Sequence, residues 1–88
     1  MDLDLLTTYC EGLCIPQSAL LKELERETNL KTLNPRMISG HLQGTLLHML
    51  VKIHGSKRIL EIGTFTGYAT ISMASALPDD GELITLEA

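Results

Sequence analysis

The stretch from Arg58 to Tyr68, Arg-Ile-Leu-Glu-Ile-Gly-Thr-Phe-Thr-Gly-Tyr, constrains the fold more than any other part of the chain. Its first five residues are short, apolar and β-branched enough to form a buried parallel strand. Gly63 and Gly67 follow and let the backbone turn sharply at the end of that strand. We expect a helix to begin near Thr66 or Gly67. Strand, tight turn and helix in this order are typical of an α/β protein with a nucleotide-type pocket at the carboxyl end of a parallel strand.

The residues after the turn predict a second parallel strand beside the first. The segment 69–77 carries small and apolar side chains that would let a helix lie close on a sheet, and Pro78-Asp79-Asp80-Gly81 has the composition of a turn. Glu82 to Glu87 then form the second strand of a βαβ unit, so that both strands end at the same edge. Glu61 lies inside the first strand. Glu87 ends the second strand, where an acid can accept hydrogen bonds from both hydroxyls of a ribose.

The glycine spacing separates this turn from two common phosphate-binding motifs. The dinucleotide fingerprint needs G-x-G-x-x-G, whereas this chain has Gly63-x-x-x-Gly67, and Tyr68 stands where a Walker motif has lysine. An adenosine ligand without pyrophosphate, but with a charged amino-acid tail, fits better. Glu61 could face the cationic part of such a ligand, directly or through water. A purely structural role also stays open for each of these residues. Gly63 and Gly67 could only form a tight turn, Glu61 could be a salt-bridged residue at the strand end, and Glu87 could be a solvated residue at the sheet edge.

Three helices are predicted ahead of the first strand. They run from about Asp4 to Cys14, from Ser18 to Thr28, and from Ser39 or Gly40 to His54, where Gly55 provides a C-terminal stop. Each has an apolar stripe. We expect the stripe of the third helix to be its buried face, whereas those of the first two helices could either pack on the rest of the domain or contribute to a dimer. The stripes are Leu6, Tyr9, Cys10, Leu13 and Cys14; Leu20, Leu21 and Leu24; and Leu42, Leu46, Met49, Leu50 and Ile53.

Composition narrows the class of protein. The 88 residues make one small domain at most. Seven Lys and Arg stand against eleven Asp and Glu, and the basic residues do not cluster, so nucleic acid is not an expected partner. No apolar run approaches the roughly 20 residues of a membrane span, and the acidic start Met1-Asp2-Leu3-Asp4 is unlike a signal peptide. We expect a soluble, cytoplasmic protein with no membrane partner.

The cysteines and histidines predict neither a metal site nor a catalytic residue. Cys10 and Cys14 lie on consecutive helical turns, too far apart for a disulfide, and lack the partners of a zinc site. We expect both to be small buried side chains. His41 lies near the predicted loop and could touch a substrate, His48 is expected to be partly buried, and His54 is expected to be a polar helix end.

Three separated blocks, in the right order and spacing, resemble class I S-adenosylmethionine-dependent methyltransferases, and more closely the small-molecule O-methyltransferases of the caffeoyl-CoA and catechol type. Leu60 to Tyr68 is close to that family's LEIGTFTGYS, and Leu83 to Glu87 is similar to its VITIE strand. Pro35 to Gly40, followed by Gly44, resembles the loop and helix start before the first strand. The resemblance is strongest over residues 35–87. It implies a Rossmann-like α/β fold, here with an N-terminal helical segment (1–34) and the first βαβ unit of the cofactor-binding domain (35–88), the sheet being incomplete.

The resemblance also implies which residues hold the cofactor, S-adenosylmethionine. Glu61, together with the backbone at Gly63 and Thr64, would hold its methionine part, with Gly67 completing the turn. Glu87 would bind the ribose hydroxyls.

Other site residues complete the implied pocket. The side chain of Phe65 would line it, and Met37 and Ser39 would belong to a loop that closes over the cofactor near its methyl group. Ala69 is a departure, because the family usually has a serine there whose hydroxyl helps to hold the cofactor carboxylate. Losing that hydrogen bond would cost about 1 kcal/mol if nothing replaces it.

The implied function is transfer of a methyl group from S-adenosylmethionine to a hydroxyl of a small molecule. In the resembling family, a divalent metal (Mg²⁺ or similar) and a lysine activate that hydroxyl, and their side chains come from later strands. We therefore expect an N-terminal fragment of a domain of about 200 residues, which holds cofactor-binding residues but no catalytic or metal-binding ones and is inactive alone.

Two other functions are weighed against this one. The chain could be a non-enzymatic α/β oligomerisation module, since a two-stranded sheet is marginal alone and its bare apolar residues favour pairing with another chain. It could also be a NAD-type nucleotide-binding domain, which the missing third glycine disfavours. A homo-oligomer is expected both for the oligomerisation module and for the methyltransferase.

Overall fold

The computed structural model describes residues 3–34 and 37–87, which form helices followed by a βαβ unit. The predicted α/β class and the partial Rossmann-like arrangement are confirmed. In chain order the elements are α1 (Leu3–Gly12), α2 (Ala19–Lys31), α3 (Gly40–His54), β1 (Arg58–Ile62), α4 (Tyr68–Ala74) and β2 (Glu82–Leu86).

Local sequence signals set several of these boundaries. The Ser18 hydroxyl accepts a hydrogen bond from the Leu21 N–H at 3.2 Å and so caps the start of α2. Gly55, with φ of +68°, ends α3 in the left-handed conformation that glycine adopts at least cost. Helix α4 ends at Ala74, earlier than the predicted Leu77, because the chain tightens into i→i+3 hydrogen bonds there and then reaches Pro78.

The two strands pair in parallel from Arg58 opposite Glu82 to Ile62 opposite Leu86. One face of this sheet lies against α4, and its side chains are half-buried. The opposite face is exposed, since Ile62 is 81% accessible and its neighbours on that face are also open. These neighbours are Leu60, Ile84 and Leu86. Among the described residues, the sheet is therefore covered on one side.

The most buried apolar side chains lie where α3 meets α4. Tyr68 is 2% accessible, and Val51 and Met73 are also buried. Gly44 of α3 brings the two helices close together, because a Cβ built there would lie 2.7 Å from the Ser72 Oγ. The core of the described chain is thus a helix–helix contact rather than a filled sheet.

The prediction that the apolar stripe of α3 is buried is wrong. Leu42, Leu46, Met49, Leu50 and Ile53 are all exposed, whereas Gly44 and Val51 are the buried residues of this helix. The reason is that α3 meets α4 along its smallest side chain, which allows the closest approach. The apolar stripe of α3 is therefore not the face that contacts α4, and it is exposed.

The stripes of the first two helices are also only partly buried. Leu6, Tyr9, Leu13 and Leu20 are exposed. Leu21 and Leu24 are half-buried, and the one buried residue of α2 is Thr28. Cys10 and Cys14, expected to be buried, are half-buried thiols, and the Cys14 Sγ donates to the Cys10 carbonyl at 3.4 Å.

In the segments 3–34 and 37–87, no helix combines the length and apolar character needed to cross a bilayer.

Candidate functional site

A small cavity of about 30 Å³ lies at the carboxyl end of β1, beside the glycine turn. It brings together the turn, the start of α4 and the segment before α3. Its lining residues are Met37, Ile38, Ser39, Gly63, Thr64, Phe65, Thr66, Tyr68 and Ala69. Most of the residues predicted for the cofactor site therefore surround one cavity, although they come from two separate parts of the sequence.

The other predicted residues, Glu61, Gly67 and Glu87, lie next to this cavity rather than in its lining. Glu61 is in β1, Gly67 immediately precedes α4, and Glu87 follows β2. Pro35 and Arg36, which belong to the resembling loop, lie outside the described residues.

The backbone of the turn explains why its glycines are needed. Gly63 and Gly67 have φ of +94° and +93°, a region that side chains with a Cβ rarely adopt. A Cβ at either position would meet no atom within 4 Å, so the requirement is conformational and the space beside the turn is open. Phe65, between them, has φ of +50°. A non-glycine residue held in this region is strained, and such strain concentrates at functional sites.

The acid at the end of β2 holds the strained part of the turn. The Phe65 N–H donates to Glu87 Oε1 at 3.1 Å. The parallel register places Gly63 at the same edge, where its N–H donates to the Leu86 carbonyl at 2.7 Å. The expectation that Glu87 lies beside the turn is therefore met, and one of its two carboxylate oxygens is engaged by the turn itself.

A chain of hydroxyl groups connects Glu61 to the cavity. Glu61 Oε1 accepts hydrogen bonds from the hydroxyls of Thr70, in α4, and Thr85, in β2, the latter at 2.8 Å. The Thr85 Oγ1 in turn lies 2.5 Å from the Thr64 Oγ1. Glu61 is half-buried on the α4 side of the sheet. The partners of Glu61 among the described residues are therefore hydroxyl groups.

Helix α2 contacts the same turn from the other side. The Thr28 Oγ1 lies 2.9 Å from the Thr66 Oγ1 and 2.7 Å from the Leu24 carbonyl. Thr28, like Tyr68, is 2% accessible. The Thr28 hydroxyl is the donor in both contacts, shared between the Leu24 carbonyl and the Thr66 hydroxyl oxygen, so it links α2 to the turn.

Tyr68 ties the connection between α1 and α2 to α4. Gln17 Nε2 donates to its hydroxyl oxygen. Burial raises the pKa of Tyr68 above its ordinary value, the negative charges of Glu25 and Glu11 act in the same direction, and the Gln17 hydrogen bond opposes them. The phenol is therefore a neutral structural group near neutral pH.

Sequence reasoning missed Gln17, Thr28, Thr70 and Thr85. For Thr85 a signal was present: strand alternation puts it on the same face of β2 as Leu83, and the parallel register puts it opposite Glu61. Gln17 and Thr28 act through tertiary contacts that no local pattern indicates.

The histidines make their contacts away from this cavity. His41 Nε2 lies 2.9 Å from the Ile15 carbonyl, and His54 Nδ1 lies 2.8 Å from the Ser56 Oγ. His48 is half-buried as predicted, with Nδ1 3.1 Å from the Ser72 carbonyl. Within the described ranges, no three His, Cys, Asp or Glu side chains are grouped as a metal site would need.

Comparison with known proteins assigns the family. Residues 12–88 match the family model for O-methyltransferases, and the chain belongs to that family. It is 40% identical over 67 residues to caffeoyl-CoA O-methyltransferase 2 of Petunia hybrida, covering 76% of this chain and 27% of that protein. It is 56% identical over 45 residues to the catechol O-methyltransferase of Niastella koreensis, covering 51% of this chain and 20% of that enzyme. The chain thus spans 30% or less of the length of such curated relatives.

Solved structures give the same result. The chain resembles the S-adenosylhomocysteine-bound methyltransferase PaMTH1 of Podospora anserina with a TM-score of 0.88 and 29% identity, over 97% of this chain and 37% of that one. It resembles the O-methyltransferase TomG of Streptomyces achromogenes, solved with S-adenosylmethionine, with a TM-score of 0.80 and 37% identity, over 89% of this chain and 34% of that one. The predicted resemblance to S-adenosylmethionine-dependent O-methyltransferases is confirmed.

Proposed function

We propose that residues 37–87 form part of the S-adenosylmethionine site of an O-methyltransferase, and that the protein transfers the methyl group to a hydroxyl of a small molecule. The observation that carries this proposal is the cavity at the carboxyl end of β1, which gathers Met37, Ser39 and the 63–65 turn, with Glu87 braced against that turn. Solved relatives that hold S-adenosylmethionine or S-adenosylhomocysteine support the choice of ligand.

The residues present fit such a ligand. Open space lies beside Gly63 and Gly67, so backbone groups of the turn are accessible to it. The cavity of about 30 Å³ is much smaller than the cofactor, so it can take only a small part of the ligand. Glu87 has a second carboxylate oxygen for the ribose hydroxyls, because the turn uses only Oε1.

The cofactor, when bound, supplies a methyl group on a sulfonium. The part assigned to this chain is to bind and orient that cofactor, and positioning is a large share of what a methyl transfer needs from a protein. Among the described residues, no three His, Cys, Asp or Glu side chains are grouped as the ligands of a divalent metal. Metal assistance, a homo-oligomeric state, a cytoplasmic location and the division at residues 34 and 35 stay predictions.

Binding is the first test of this proposal. In titration calorimetry on the 88-residue chain, S-adenosylhomocysteine should bind and NAD⁺ should not. Glu87→Ala should weaken the binding of S-adenosylhomocysteine about tenfold or more. It removes both the acceptor for the ribose hydroxyls and the hydrogen bond from the Phe65 N–H. Glu82→Ala, at the start of the strand that Glu87 follows, is the matched control. Its exposed pair with Arg58, at 3.3 Å, contributes little. NAD⁺ binding without S-adenosylhomocysteine binding would overturn the proposal.

Methyl transfer needs a separate test, since the chain spans a minor part of its relatives. Residues 40–87 can replace the structurally matching segment of the Niastella koreensis catechol O-methyltransferase, and transfer from tritiated S-adenosylmethionine to catechol can be followed. The chimera should retain activity, and Glu87→Ala within it should raise the KM for S-adenosylmethionine. A folded chimera that transfers no methyl group would count against the proposed function. The family match supports this function over the oligomerisation module and the NAD-type domain.

A further inference from the structure

A second and larger space shares Tyr68 with the cavity at the end of β1. It is a groove of about 400 Å³, a volume within the range of small-molecule sites in proteins. The connection between α1 and α2, the start of α2, and the helices α3 and α4 form its walls. Of the described residues, Tyr68 alone lines both spaces, so the groove is separate from the proposed cofactor site.

The groove offers a mainly apolar surface, because most of its polar side chains bond to the backbone. The hydroxyls of Thr45, Ser72 and Ser75 each donate to a backbone carbonyl, at 2.7 Å, 2.9 Å and 2.9 Å. A hydroxyl has one proton, so these three have none left for a ligand. His41 and His48 likewise each turn a ring nitrogen to a backbone carbonyl. The apolar side chains of the lining are Leu13, Ile15, Pro16, Leu21 and Met49.

The hydroxyl of Tyr68 differs from the others, because its proton is unused. One amide atom of Gln17 contacts both this hydroxyl and Glu25 Oε2, the latter at 3.4 Å. A carboxylate can only accept, so that atom is the amide nitrogen, and the Tyr68 oxygen accepts one of its protons. The proton of Tyr68 itself then has no acceptor among residues 3–34 and 37–87. Gln17 lines the groove and not the cofactor cavity, so the hydroxyl end of the tyrosine lies at the groove.

An unused donor on so buried a side chain indicates which chemical group a ligand would bring. Tyr68 is 2% accessible, and leaving a buried donor unsatisfied costs free energy that an acceptor on a ligand recovers. Burial raises the pKa of Tyr68, and the negative charges of Glu25 and Glu11 raise it further. The hydroxyl therefore lies in a negative potential, which repels a carboxylate and favours a neutral acceptor.

We propose that this groove binds a small neutral molecule with an apolar body and a carbonyl oxygen, such as a ketone or an ester, and that this oxygen accepts the Tyr68 proton. The apolar body packs against Leu13, Leu21 and Met49. The site goes beyond the proposed function, because it needs neither S-adenosylmethionine nor methyl transfer.

Three naphthalene probes test the class of ligand by fluorescence titration of the 88-residue chain. The first is prodan, a neutral fluorescent ketone with a dimethylamino group. Dimethylaminonaphthalene lacks the carbonyl, and dimethylaminonaphthoate carries a carboxylate in its place. Prodan should bind saturably, and the naphthoate should bind about fivefold or more weakly than prodan. A naphthoate that binds as tightly as prodan would overturn the proposal, as would a chain that does not bind prodan.

Two substitutions on α3 test where prodan binds. Thr45→Trp puts a large side chain into the groove and should weaken prodan about tenfold or more. Gln43→Trp is the matched control, since Gln43 is an exposed residue of the same helix that does not line the groove. Ile62→Thr/Ile84→Thr, on the exposed sheet face, should keep prodan binding. If the two tryptophan variants bind prodan alike, or if the sheet substitutions abolish binding, the groove is not the site and the proposal is overturned.

Tyr68→Phe tests the hydrogen bond, because it keeps the ring and removes the donor. It should weaken prodan about fivefold and change dimethylaminonaphthalene less than about twofold, whereas Tyr9→Phe should change neither. An unchanged ratio of the two affinities in Tyr68→Phe would overturn the proposal. If circular dichroism shows that Tyr68→Phe does not fold, the infrared carbonyl stretch of prodan bound to the unmodified chain carries the same test. It should lie below its position in an apolar solvent, and a stretch at that position would overturn the proposal.

Discussion

Gly44 of α3 lies so close to Ser72 of α4 that a Cβ at position 44 would sit 2.7 Å from the Ser72 Oγ. It would also sit 2.9 Å from Cε1 of Tyr68. Ser72 has little freedom to move away, because its hydroxyl donates to the Tyr68 carbonyl at 2.9 Å and the residue is buried. The contact between α3 and α4 therefore depends on the absence of a side chain at position 44.

Gly44→Ala should consequently destabilise the fold. Overpacking costs about 1–3 kcal/mol, and the better helix propensity of alanine returns up to about 1 kcal/mol. We expect a net loss of about 1 kcal/mol in the free energy of unfolding, measured by urea denaturation. Gly12→Ala at the end of α1 is the control, since a Cβ there meets no atom within 4 Å. Equal effects of the two substitutions would contradict the assigned contact.

The same contact shows where sequence reasoning failed. Helical periodicity correctly predicts that α3 is a helix, but it selects the stripe from Leu42 to Ile53 as the buried face. The burial of Gly44 is decided by how closely another helix approaches, and that is a tertiary property. Small residues carry little hydrophobic signal, so a pattern based on apolar side chains overlooks them.

The cavity was more predictable than the core. A strand followed by two glycines must turn, and the parallel register then puts Glu87 next to Phe65. Met37 and Ser39 could be placed at the same site only through the resemblance, since nothing local links residues 37–39 to residues 63–65. Thr28 and Thr70 stayed unpredicted because their roles come from partners on other elements.

The buried phenol of Tyr68 gives a prediction about alkaline stability. Its pKa is raised in the folded chain, chiefly by burial, so the folded state holds this proton more tightly than the unfolded state. The corresponding stability is fully present below the unfolded value of about 10 and is lost as pH rises through the folded pKa. Tyr68→Phe should therefore flatten the fall in denaturation midpoint between about pH 9 and pH 11.5.

Tyr68→Phe should also lower stability at pH 8 by about 1 kcal/mol, because the hydrogen bond from Gln17 is lost. Tyr9→Phe serves as the control, since Tyr9 is 67% accessible. It should follow the unmodified chain at every pH. If the denaturation midpoints of the unmodified chain and of Tyr68→Phe fall in parallel as pH rises, the buried phenol does not contribute to alkaline unfolding.

The exposed face of the sheet predicts self-association of the 88-residue chain. Ile62 and Ile84 are 81% and 50% accessible and stand beside Leu60 and Leu86 on one apolar face. Contiguous apolar surface of this kind drives association. The double substitution Ile62→Thr/Ile84→Thr keeps β-branched side chains and removes apolar area. It should raise the concentration at which sedimentation velocity detects association several-fold.

The control for this experiment removes as many isoleucines from outside the sheet. Ile15 and Ile53 are 82% and 77% accessible, so Ile15→Thr/Ile53→Thr changes a comparable exposed surface. It should leave the association unchanged. If both double variants shift the association equally, general hydrophobicity rather than the sheet face is responsible.

Ala69 supplies the last prediction, which is a gain of affinity. Ala69 lines the cavity at the start of α4, and the sequence resemblance implies a serine at this position whose hydroxyl would help to hold the cofactor carboxylate. Ala69→Ser should supply that hydrogen bond and raise the affinity for S-adenosylhomocysteine about fivefold, equivalent to about 1 kcal/mol. Binding of 5′-methylthioadenosine should stay unchanged, because it has no carboxylate. Ala74→Ser, at the exposed end of the same helix, controls for the cost of serine in a helix. A gain for both ligands, or for both variants, would mean that the hydroxyl at position 69 acts on the stability of α4 and not on the carboxylate.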